Sequence, residues 1–70
     1  MEKIQLLDTV ALLKNIPEEK LTKGQVGTIV DIFDTQHFEV EFADKNGQTI
    51  ALIALSSKEL LKLVHESIYA

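Results

Sequence analysis

Residues 38–42, Phe38-Glu39-Val40-Glu41-Phe42, place an apolar side chain at every second position and a carboxylate between. Successive strand side chains point to opposite faces, so this run is a strand with one apolar and one acidic face; a helix would mix the two. Asp44-Lys45-Asn46-Gly47 follows. Asn-Gly is the strongest two-residue hairpin signal, because both positions tolerate positive φ, and it predicts a hairpin into residues 49–55. Upstream, Gly24-Gln25-Val26-Gly27-Thr28-Ile29-Val30 reads as a strand that starts at Gly24. Gly27, inside that strand, marks a bulge, a sharp bend or a close backbone approach, the devices by which a sheet curls shut. Together these features predict an all-β chain folded as a very small barrel.

The 70 residues make a single domain near the lower limit for an independent core, and without cysteine no disulfide or thiolate metal site can staple it. Residues 10–13 are the expected first strand, closed by Asn15-Ile16-Pro17. Residues 17–23 form a polar loop that wraps over a barrel end with Leu21 as its anchor. Residues 28–33 are β-branched and aromatic, and residues 34–36 turn the chain into the third strand. The fourth strand, residues 49–55, is apolar on both faces, so something must cover its second face: residues 4–7, the carboxyl tail or another copy. Residues 57–68 admit two readings. Ser56 with Glu59 makes a capping box, and Leu60, Val64 and Ile68 share a helical face; Leu61, Leu63 and His65 alternate as a fifth strand would. Because four strands cannot close, the expectation is a single helical turn at residues 57–60 leading into a short fifth strand.

The segments Leu7-Asp8-x-Val10-Ala11-Leu12-Leu13, Leu21-x-x-Gly24-x-Val26-Gly27-Thr28-Ile29-Val30 and Phe38-Glu39-Val40-Glu41-Phe42-x-Asp44-x-x-Gly47, with Ala51-Leu52-x-x-Leu55, resemble the bacterial domain-of-unknown-function family 4926. The resemblance covers about residues 6–65. It implies a five-stranded SH3-like barrel and assigns no catalytic residue. Translation-associated KOW barrels share the Gly-x-x-Gly-Thr entry.

Charge narrows the function further. Net charge is −4, from 7 lysines against 11 carboxylates, and arginine is absent. That balance weighs against nucleic acid, where arginine contacts and phosphate neutralisation dominate affinity. No apolar run reaches the roughly 20 residues of a membrane span, and the amino end lacks the basic and apolar regions of a leader, so a cytoplasmic protein is expected. His37 and His65 have no metal-ligand spacing. Glu39 and Glu41 stand about 7 Å apart on one strand face, a glycosidase-like separation, but an open strand supplies no pocket to raise one pKa. Gly24-Gln25-Val26-Gly27 lacks the lysine-serine of a phosphate loop. The expectation is therefore no enzyme and no cofactor.

From position 24 to 44 there is no lysine, while Asp31, Asp34, Glu39, Glu41 and Asp44 all fall in that span. These five, with the loop at residues 16–23, are the candidate partner-binding residues; Gly24, Gly27, Asn46 and Gly47 are expected to be structural. The function this supports is a non-enzymatic protein-interaction module for a basic partner, of antitoxin, immunity or accessory-subunit type, with self-association through the fourth strand beside it. An RNA-binding KOW-like barrel is the rival.

Overall fold

A computed structural model describes residues 3–64. Five antiparallel strands, β1 (Thr9–Leu12), β2 (Val26–Asp34), β3 (His37–Ala43), β4 (Thr49–Ser56) and β5 (Leu60–Lys62), form one sheet in the order β4-β3-β2-β1-β5. Among the described residues the only helices are two single 3-10 turns, Pro17–Glu19 and Ser57–Glu59. The chain is a small SH3-like barrel. Its long second strand pairs with β1 at its start and with β3 along its length, so both halves of the curled sheet hang on β2.

The inward positions follow the alternation. Val10, Leu12 and Leu60 come from one half of the sheet, Phe38, Val40, Phe42, Ala51 and Leu55 from the other, and Ile29 from the shared strand; all are buried in one cluster. Ile16 and Leu21 close the barrel end. Their backbones exchange two hydrogen bonds, at 2.9 and 3.1 Å, around the 3-10 turn, so the loop wraps over the core with Leu21 1% exposed, as its sequence predicts. At the carboxyl side the expected capping box forms, with the Ser56 N–H donating to Glu59 Oε1 at 2.8 Å, and the chain turns once before entering β5. The helix alternative thus fails at Leu60–Lys62, which pair with residues 10–12; residues 65–68 lie outside the described chain.

Gly27 is a close-approach glycine. In register it lies between Val10 and Phe42, and a Cβ built on it would stand 2.8 Å from Phe42 Cε1 and 2.8 Å from Val40 Cγ1. The Phe42 ring occupies the space where a side chain would be. Curling continues farther along β2 through register shifts between Ile29 and Asp31 and between Ile32 and Asp34.

Two turn assignments need correction. Gly24 does not begin β2: it sits in the preceding turn at φ +90°, its N–H on Leu12 C=O at 2.8 Å, and regular pairing starts at Val26. Asn46-Gly47 is not a two-residue turn either. Only Gly47 has positive φ, +82°; the Asp44 N–H donates to Gln48 C=O and the Gly47 N–H to Asp44 C=O, giving a three-residue loop with Gly47 in the left-handed position. What overrides the Asn-Gly signal is Asp44, whose Oδ1 accepts from the N–H of both Asn46, at 2.8 Å, and Gln48, at 3.0 Å.

Gly27→Ala is expected to destabilise the fold by about 1–3 kcal/mol, since Phe42 or Val40 must leave its packed position. Equilibrium denaturation checks this, and a midpoint equal to wild type would show that the approach is slack.

Candidate interaction face on the outer sheet

The outward positions of β2, β3 and β4 form two rows. Asp31, Glu39 and Ala54 face one another in the first, and Thr28, Glu41 and Leu52 in the second. Three carboxylates therefore share one face, with Asp31 directly opposite Glu39 and no lysine in either row. Like charges placed directly opposite destabilise a sheet, by a few tenths to about 1 kcal/mol. The bonds that hold these groups are local: Asp31 Oδ1 accepts from the Ile32 N–H at 2.8 Å, and Glu41 Oε2 accepts from Thr49 Oγ1. Glu39 and Glu41 are half-buried rather than fully solvated, because the flanking strands wall them in.

The other two candidate acids are elsewhere. Asp34 and Asp44 stand at opposite ends of β3, about 20 Å apart along the strand. Each is committed to a turn. Asp34 Oδ1 accepts from the Gln36 N–H at 2.8 Å and meets His37 Nδ1 at 2.9 Å; the Gln36 hydrogen bond first, then His37, holds the Asp34 carboxyl below the usual range. Asp44 organises the β3–β4 loop. The loop at residues 16–23 also stays apart from the acids: it feeds into β2 at Val26, about 17 Å along the strand from Asp31, and carries Lys20 and Lys23. The five acids and the loop anticipated as one surface resolve into a three-carboxylate face and two turn caps.

Two cations on the far side of the sheet are in ion pairs. Lys14 Nζ lies 2.6 Å from Glu59 Oε2, and Lys62 Nζ lies 3.1 Å from Asp8 Oδ2 and donates to Lys3 C=O. The Lys14 bond, with the Ser56 N–H second, pulls the Glu59 carboxyl below its ordinary range, and Glu59 in turn raises Lys14. The Gln5 N–H, and then Lys62, lower Asp8 against its partial desolvation. Charge is thus segregated: paired across β1 and β5, while Asp31, Glu39 and Glu41 on β2 and β3 have no lysine opposite them in register.

Apolar side chains border the acidic rows, a feature that single-strand alternation does not show. Leu52 is 54% exposed beside Glu41, and on the adjoining part of the outer face Val26 and Leu61 flank Ala11 in register. The face is acidic and apolar at once. An open groove of about 430 Å³ lies between Lys3, Ile4, Phe38, Leu60 and Lys62; its described lining carries no carboxylate, imidazole or thiol. Among the described residues no three of His, Asp and Glu gather where they could hold a metal ion, and no helix is long and apolar enough to cross a membrane.

The family model for a domain of unknown function, DUF4926, matches residues 6–62. The chain belongs to the DUF4926 family. The match runs from the residues just before β1 to the last residue of β5, so in this DUF4926 domain the whole described sheet and the acidic face lie within the family's span. No curated protein and no solved structure matches the chain.

Acid should weaken this DUF4926 domain. Carboxyls whose folded pKa is depressed contribute stability that is complete above the unfolded value, about 4, and is lost as pH falls through the folded value. Asp8, Asp34 and Glu59 all have this sign. Thermal midpoints are expected to fall below about pH 4, and Glu59→Gln, already lacking one such carboxylate, to lose less over that range; equal acid slopes would count against the pairing.

Proposed function

We propose that this chain is a non-enzymatic protein-interaction module whose outer β2–β3–β4 face receives a basic, partly apolar segment of another protein. The supporting observation is the in-register pair Asp31 and Glu39, extended by Glu41, with no lysine opposite any of them. A fold gains nothing internally from facing two carboxylates. A cationic partner converts that repulsion into attraction and speeds encounter. Leu52 beside Glu41 adds apolar area that a purely solvating surface does not require. On this reading a finer role, neutralising a basic toxin-like enzyme as an antitoxin or immunity factor or serving as an accessory subunit, consists of covering the partner's cationic site. The rival RNA-binding reading draws less support, since Lys14 and Lys62 are held in ion pairs and arginine is absent from the sequence.

The test is affinity capture with wild type beside an Asp31→Asn/Glu39→Gln/Glu41→Gln variant, which keeps shape and removes charge. Wild type is expected to retain a basic protein that salt releases and that the neutral variant fails to hold. Equal retention by both baits would overturn the assignment of this face.

A further inference from the structure

The strand β4 ends the sheet, with no strand beyond it among the described residues. Which of its backbone groups face outward follows from the pairing. Partners on β3 and β4 run from His37 with Ser56 to Phe42 with Ala51, and the Ser57 N–H donates to Gln36 C=O at 2.8 Å. Hydrogen bonding alternates along an antiparallel strand, so Leu55, Ile53 and Ala51 bond toward β3, while Ser56, Ala54 and Leu52 point their N–H and C=O away from the sheet. The Ser56 N–H is already taken by Glu59 Oε1 at 2.8 Å. Leu52 and Ala54 remain, two donors and two acceptors aimed outward from an exposed stretch.

Natural edge strands are blunted by charge, proline or brevity. This one is not. All eight residues, Thr49–Ser56, are uncharged and none is proline; the register shift near Ala43 distorts only its beginning.

We propose that this edge pairs with the same strand of a second copy of the chain, antiparallel about a two-fold axis at Ile53. Leu52 of each copy then faces Ala54 of the other, and both residues exchange their two outward hydrogen bonds. The occupant is a second copy for two reasons. An uncharged strand meets no repulsion from its own image, and the large Leu52 opposite the small Ala54 is a self-complementary fit on the outer face. Nor does the acidic face oppose it: the β3 strands of the two copies lie three strand spacings apart, about 14 Å, beyond the screening length of roughly 8 Å in physiological salt. The pairing extends the sheet and leaves Asp31, Glu39 and Glu41 open, so it shares only Leu52 with the face proposed above and does not rest on that function.

Sedimentation equilibrium of the purified chain alone, from micromolar to about millimolar concentration, tests the pairing. The mass is expected to rise with concentration from 7.8 kDa toward twice that value. Ala54→Pro removes one outward donor without touching the bonds to β3, and Leu52→Lys places a charge on the edge; each, with a circular-dichroism spectrum matching wild type, is expected to stay monomeric throughout. Amide exchange at Leu52 and Ala54 is expected to slow as wild type is concentrated. A monomeric wild type at millimolar concentration, or folded variants that associate as wild type does, would overturn the proposal. A wild type that self-associates as expected but holds no basic protein would instead count only against the acidic face.

Discussion

The contact between the Phe42 ring and the bare backbone of Gly27 is the constraint from which the rest of this barrel follows. It lies where β1, β2 and β3 meet in register, with Val10 on one side of Gly27 and Phe42 on the other. A side chain at that point would hold the two halves of the sheet apart. Its absence lets Val10, Leu12 and Leu60 reach Phe38, Val40 and Phe42 in one core, which a domain of this size, with no disulfide to help, depends on. Once the inward face is spoken for, alternation dictates the outward one, and Glu39 and Glu41 have nowhere else to go.

The surface therefore divides by cause. On the β1 and β5 side, acids and lysines from distant parts of the chain meet, Lys14 with Glu59 and Lys62 with Asp8, and tie the termini of the sheet together. Across β2 and β3 the carboxylates meet one another. Asp34 and Asp44 belong to neither group; their hydrogen bonds shape the turns that bring β3 into place. A polar residue placed at a turn and one placed mid-strand have the same charge and different uses.

This distinction sets how far the sequence could be read. Strand identity was legible, because period-two alternation and β-branched runs report directly on burial, and the short fifth strand after a single turn followed because four strands cannot close a barrel. Turn geometry was less so. Asn46-Gly47 carries a strong local preference, yet Asp44, two residues earlier, captures the backbone donors first and selects the longer loop. Composition flagged five acids between positions 24 and 44, but separating three from two requires register: only the pairing of Asp31 with Glu39 across a shift in β2 reveals which carboxylates face each other. The apolar neighbour Leu52 was visible only as a strand apolar on both faces, without the partner that would cover it.

That the acidic face is held against the fold's own electrostatics is best measured by a double-mutant cycle for stability on Asp31→Asn and Glu39→Gln, run at low and high salt. A repulsive coupling is predicted, of a few tenths to about 1 kcal/mol, with each neutralisation stabilising the chain and the coupling shrinking as salt is added. A coupling of zero or an attractive one would contradict the account, since the two carboxylates would then cost the sheet nothing and would require no partner to explain them.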